Sequence, residues 1–166
     1  MSQKPRKINT VKSANLAVLV TAIMTSSLQA EPSQAVMDGM TRLQNATTGQ
    51  AAISLDPATE LASFVRFSPG GLRRAVTRGA TADEKTREFL SEHESAFGLR
   101  EHASELITTR QGTDAYGRKQ VRYRQVYEGI PVFGAELSSH FDRNGELRAL
   151  SASTIEIGSL DTTPLR

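Results

Sequence analysis

The chain has 166 residues with 20 Lys+Arg against 18 Asp+Glu and no cysteine. Four of the cations, Lys4, Arg6, Lys7 and Lys12, and none of the acids precede Glu31, so the remainder counts 16 against 18 and the basic isoelectric point is a property of the first thirty residues. A nucleic-acid-binding domain is not expected: Arg73, Arg74 and Arg78 cluster, but Asp83 and Glu84 follow at once and no aromatic residue is interleaved as a stacking platform.

The early cations lead into an apolar run from Ala14 to Met24 and then Thr-Ser-Ser-Leu-Gln-Ala30, the pattern of a secretory signal peptide over residues 1–30. The run is far shorter than the ~18 to 20 residues a bilayer span needs. Cleavage is expected after Ala30, with Ser27 and Ala35 as the other sites, and no membrane contact is expected once the leader is gone. What remains is enough for one core. With no disulfide available outside the cytoplasm, that core must hold the domain alone, as is usual in bacterial secreted proteins.

Residues 31–51 contain no aromatic side chain and only a faint helical spacing at Val36, Met40 and Leu43, and they read as a flexible lead-in. All six phenylalanines and three tyrosines fall between Phe64 and Phe141, which places the compact domain at 52–158. Ser63–Phe67 reads as a strand and Ser68-Pro69-Gly70-Gly71 as its turn, followed by a connector to about Ala80. Thr81 to Phe97 is the clearest helix. Thr81 and Glu84 form a capping box, Asp83 and Glu84 suit the positive end of the helix dipole, and Gly98 supplies a left-handed cap. Phe89, Leu90, His93 and Phe97 give it one apolar face, which should lie on a sheet.

Glu105–Gln111 and Arg118–Tyr127 read as strands around a turn at Gly112–Gly117, and Phe133–Asp142 and Glu146–Thr154 as the next pair. A three-residue loop, Arg143-Asn144-Gly145 with Gly145 left-handed, opposes Phe141 with Leu147 and Ser139 with Ala149. The fold class that follows is α+β: an antiparallel sheet packed by one long helix, preceded by the signal peptide and the loose lead-in. Residues 159–166 read as a linker toward a further domain.

One stretch concentrates specific chemistry of turn and strand. In Arg122-Tyr123-Arg124-Gln125-Val126-Tyr127-Glu128-Gly129-Ile130-Pro131-Val132-Phe133-Gly134-Ala135-Glu136-Leu137, the charged Arg122 and Arg124 alternate with Val121 and Tyr123. After Gly129, the positions Pro131, Phe133, Ala135, Leu137 and Phe141 recur with a period of two and are expected to form a core face. This stretch resembles the signature of the fungalysin/thermolysin propeptide domain, the amino-terminal half of the pro-segment of thermolysin-like zinc metallopeptidases.

The resemblance implies a binding module: a pro-domain of a secreted metalloendopeptidase, acting as intramolecular chaperone and inhibitor on its own catalytic domain. In that family a second pro-domain and the catalytic zinc domain normally follow, and neither is in this chain. The other reading is an independent secreted regulator acting on such a protease in trans. No cofactor is implied. The partner expected is the cognate zinc-dependent catalytic domain. Tyr123, Tyr127, Gly129, Pro131, Phe133 and Gly134 are expected to specify the fold, and the polar Arg122, Arg124, Gln125 and Glu128, on the face opposite the core or in the turn, to contact the partner.

Catalysis by this chain is not expected. His93-Glu94-Ser95-Ala96-Phe97 opens like an H-E-x-x-H zinc helix but places Phe97 where the second ligand must stand. His93 is expected on the apolar helix face, His102 in a loop and His140 on the polar strand face. There is no G-x-S-x-G elbow, P-loop or dinucleotide fingerprint.

Overall fold

A computed structural model of the chain describes residues 33–47, 51–72 and 80–162. The signal peptide, most of the connector before Ala80 and the Arg73, Arg74, Arg78 cluster lie outside the described residues.

Six strands form one antiparallel sheet: β1 Ala51–Leu55, β2 Ala62–Phe67, β3 Leu106–Thr113, β4 Lys119–Tyr127, β5 Ile130–Phe141 and β6 Leu147–Ala152, in the order β1-β2-β6-β5-β4-β3. Alternation makes one face of it apolar. Val65, Phe67, Val121, Tyr123, Leu137, Phe141 and Leu150 are all buried there, while Arg66, Arg122, Arg124 and Glu136 stand exposed between them.

Helix α2, Ala82–His93, covers the apolar face and ends in a 3-10 segment, Glu94–Phe97. Its start is the capping box: the Thr81 hydroxyl accepts from the Glu84 N–H at 3.2 Å, and the Glu84 carboxylate accepts from the Thr81 N–H at 2.7 Å. Phe89, Leu90, His93 and Phe97 are buried, and the Phe89 ring meets Phe67 edge-on at 5.6 Å. A polar seam also ties helix to sheet. The Thr86 hydroxyl lies 2.7 Å from that of Ser139, and Asp83 accepts from Arg87 Nε at 3.1 Å and from the Thr108 hydroxyl at 2.9 Å. Gly98, at φ 69°, ends the 3-10 segment.

The α+β class stands, with corrections. The lead-in is not loose where it is described: Gln34–Ala46 is a second helix, α1, capped by the Ser33 side chain, and it buries Val36 and Leu43. Its apolar positions are too few to announce a helix locally, but packing against the 3-10 segment covers them. So α2 is not the one long helix, and it gives way to 3-10 geometry at Glu94 rather than running to Phe97. β1 went unread because it is a short edge strand whose inward positions, Ala51 and Ile53, are only partly buried. His102 sits in a short helix, α3, His102–Glu105, where its Nδ1 lies 2.7 Å from the Glu94 carboxylate.

The β5–β6 loop has three residues. Gly145 takes φ 76°, its N–H donates to the Asp142 carbonyl at 3.0 Å, and Phe141 opposes Leu147. Beyond that pair the ladder shifts by one, so Ser139 opposes Leu150 and not Ala149. Arg148 is the extra residue of this bulge, which keeps Leu147 and Leu150 both buried.

Candidate functional site

The hairpin of β4 and β5 holds the signature residues, and its turn has two residues, Glu128 and Gly129, at φ 49° and 80° between the paired Tyr127 and Ile130. Two positive φ values in succession match the twist of the flanking strands, and glycine meets that demand at the second position. The Glu128 carboxylate accepts from the Thr162 hydroxyl, and the Tyr127 hydroxyl accepts from the Leu160 N–H at 3.2 Å. The hairpin end therefore grips the segment that follows β6.

Tyr123 is fully buried under α2 with the Arg87 guanidinium 5.6 Å from its ring centre, and burial pushes its phenol pKa well up. Two other positions depart from expectation. Phe133 is not core: it is 104% exposed. The ladder between β4 and β5 pairs Arg124 with Glu136 and then Val126 with Pro131, so β5 has four residues between these pairs where β4 has one, Gln125. Gly134, at φ 73°, turns the chain inside that excursion, and the Ser153 hydroxyl fixes it by donating to the Gly134 carbonyl at 2.8 Å and accepting from the Glu136 N–H at 3.2 Å. Regular alternation resumes only at Ala135, so Phe133 and Pro131 are left outside.

Gln125 is the second correction. It is 0% exposed and bonded to the backbone of Ile155, so it does not present its amide to a partner from the solvent face. The signal was in the alternation itself, since Val121, Tyr123 and Gln125 share one side of β4. Of the expected contact residues, Arg122 and Arg124 stand exposed on the outward face and Glu128 at the hairpin tip. His140 lies on the polar face, as expected, two residues from Ser138, the β5 partner of Arg122; sequence reading did not single out Arg110, which pairs with Arg122 across β3 and β4. Partial burial and the nearby Arg122 lower the pKa of His140.

A concavity of about 980 Å³ opens between α1 and the end of α2, where His93, Arg42, Glu94 and Ser95 meet. His93 is buried on the apolar face as expected, and desolvation lowers its pKa. Its Nδ1 has no hydrogen-bond partner among the described residues. Among the described residues no group of three His, Cys, Asp or Glu is placed to hold a metal ion.

Residues 104–154, from α3 to just past β6, match the family model described as Fungalysin/Thermolysin Propeptide Motif. The chain carries this propeptide motif. Outside it lie α1, β1, β2 and α2, which complete the core beneath the motif's four strands. Proteins named thermolysin from Alicyclobacillus acidocaldarius subsp. acidocaldarius, Bacillus caldolyticus and Bacillus sp. (strain EA1) are each 32% identical to this chain over 90 residues. The match takes in 53% of this chain and spans only 16% of the length of those relatives. No helix among the described residues is long and apolar enough to cross a membrane.

Proposed function

We propose that the chain acts as the amino-terminal pro-domain of a secreted thermolysin-like zinc metalloendopeptidase, binding the catalytic domain as a folding chaperone and as an inhibitor. The observation that carries this reading is the propeptide motif over residues 104–154, in a fold whose hairpin and outer sheet face offer exposed charge. Residues 1–30 would direct export. Any zinc chemistry would belong to the catalytic domain. The mechanism is mass action: a domain that binds the folded protease and not its unfolded chain stabilises the folded form, and a domain bound over the substrate cleft hinders access. Arg122, Arg124 and Glu128 are the contact residues proposed, and Gln125 serves the fold instead.

The test uses a thermolysin catalytic domain, unfolded in denaturant and diluted with and without this protein, followed by peptide hydrolysis at rising concentrations of added chain. A higher refolding yield together with slowed hydrolysis is the expected result. If neither quantity changes at tens of micromolar, the pro-domain reading fails for this chain.

A further inference from the structure

An exposed hydrophobic side chain standing singly on a surface is ordinary. Phe133 is different, because a built piece of backbone presents it. Among the described residues no other large apolar side chain is so completely exposed. Between the pairs Val126–Pro131 and Arg124–Glu136, β5 runs to four residues against one in β4, and Phe133 sits among the four. Ser153 fastens this excursion: its hydroxyl donates to the Gly134 carbonyl at 2.8 Å and accepts from the Glu136 N–H at 3.2 Å, and its own N–H donates to the Glu136 carbonyl at 2.8 Å. Gly134 takes φ 73°, and a Cβ there would meet nothing within 4 Å, so this glycine serves the turn of the backbone and not close packing. Extra residues in one strand of a pair re-aim a side chain, and here they turn Phe133 away from the core.

Other exposed apolar side chains are attached to the same end of the hairpin. Ile130 pairs with Tyr127, the Tyr127 hydroxyl accepts from the Leu160 N–H, and Gln125, the β4 residue opposite the excursion, holds the backbone of Ile155. Ile130, Ile155 and Leu160 are all exposed. Arg124, Glu128 and Glu136 stand exposed beside them. A large aromatic anchor with polar and charged groups around it is the composition of a protein–protein hot spot and its rim. A membrane-surface anchor is rich in cations, whereas two of these three charges are acids.

The place of the excursion in the chain points to the partner. It lies wholly within residues 104–154, the part matched by the propeptide motif, yet Phe133 adds nothing to this domain's own core. The segment that leads out of the domain is tied to the same hairpin, Leu160 by Tyr127 and Thr162 by Glu128. In the thermolysin relatives the matched part is 16% of a much longer chain. A catalytic domain carried in such a chain would meet this end of the hairpin at the high effective concentration of a tethered partner. We infer that Phe133 is the apolar anchor of the pro-domain on its protease: the ring enters an apolar pocket on the surface of a thermolysin-like catalytic domain, with Arg124 and Glu128 at the rim. This rests on the pro-domain reading and names an apolar contact for it.

The test measures binding of the full chain to a catalytically inactive thermolysin domain, which cannot digest it, by biolayer interferometry. Phe133→Ala should weaken binding by about tenfold or more, and Phe133→Leu should retain most of it, while both melt like the wild type. Tyr116→Ala is the control. That ring is also exposed and also within the motif, but it belongs to the turn between β3 and β4, at the other end of β4, so its loss should leave the affinity unchanged. The chain has no cysteine, so Phe133→Cys and Tyr116→Cys each give it a single thiol. The bound domain should slow alkylation about tenfold or more at position 133 and not at all at position 116, and this readout decides wherever Phe133→Ala fails to melt cooperatively. Phe133→Ala binding as tightly as the wild type, or a thiol at position 133 that reacts as fast in the complex as free, would overturn the anchor and leave the pro-domain reading standing. No binding by the wild type at tens of micromolar would overturn both. Phosphatidylglycerol vesicles and the chain alone at rising concentration are run in parallel. Vesicle binding or dimer formation that Phe133→Ala abolishes would overturn the proposal in favour of a lipid surface or a second copy of the chain.

Discussion

Gln125 and Ile155 exchange two hydrogen bonds: the Gln125 amide nitrogen donates to the Ile155 carbonyl at 2.9 Å, and its oxygen accepts from the Ile155 N–H at 3.0 Å. The side chain thus acts as a strand edge inside the core and pins the segment after β6 to β4. Gln125→Ala removes both bonds and leaves the Ile155 backbone groups without their partner, at about 1 to 3 kcal/mol for each. A loss of about 2 to 5 kcal/mol is expected by urea denaturation. Gln125→Met, which keeps most of the volume, should lose nearly as much, because the polar groups and not the packing dominate. A Met variant as stable as the wild type would show that these bonds contribute little.

Phe133→Ala should leave stability within about 0.5 kcal/mol of the wild type, since the ring lies wholly outside the core. Phe97, at 0% exposure, is the contrast. Its replacement by Ala should cost about 3 to 5 kcal/mol. Thermal melts of the two variants compare them directly, and a large loss at Phe133 would mean that the β5 excursion packs against the domain.

The elements legible in the sequence were those whose signals are local. Thr81 and Glu84 announce α2 because a capping box is complete within four residues, and Gly145 sets its hairpin because one positive φ decides the loop. Phe133 misled because strict alternation presumes unbroken pairing, and the excursion from Val132 to Gly134 breaks it. Gln125 misled the other way: its position pointed inward and its polarity outward, and the Ile155 backbone, thirty residues away, resolves the conflict. The pairing of Arg110 with Arg122 was illegible for a different reason: the two stand on different strands, and only the β3–β4 register sets them side by side.

His93 should give the domain a pH dependence near neutrality. Burial is the main cause lowering its pKa below 6.5, with Glu92 opposing and Arg42 adding to the effect. A folded-state value below the unfolded one means that the unfolded chain takes up the proton first. The neutral ring's contribution is therefore full above the unfolded value and is lost as pH falls from about 6.5 through the folded one, with a slope no steeper than about 1.4 kcal/mol per pH unit for one proton. His93→Leu should flatten the stability profile in that window. His140, lowered by burial and by Arg122, contributes a slope of the same sign, so His93→Leu/His140→Asn should be flatter still. Urea midpoints at pH 7 and pH 5 measure this, and an unchanged difference in His93→Leu would mean that His93 titrates normally.

Gly39 decides whether α1 belongs to the folded unit. Within a helix, Gly→Ala ordinarily gains about 1 kcal/mol because alanine gives up less backbone freedom. Here a Cβ at residue 39 would stand 2.3 Å from the Ser95 hydroxyl oxygen and 2.6 Å from the Ala96 nitrogen. The Ser95 side chain could rotate away, at the expense of its 3.0 Å bond from Arg42, but the Ala96 backbone cannot yield without moving the 3-10 segment beneath it. Overpacking of this kind costs about 1 to 3 kcal/mol, so sterics should outweigh propensity and Gly39→Ala should destabilise. Thr41→Ala, on the exposed side of the same helix, is the control and should stay neutral or gain slightly. Hydrogen exchange would add the local view: Gly39→Ala should lower protection in α1 and in Glu94–Phe97 together while the centre of the sheet is spared. A Gly39→Ala variant more stable than the wild type would mean that α1 does not pack on the 3-10 segment in solution.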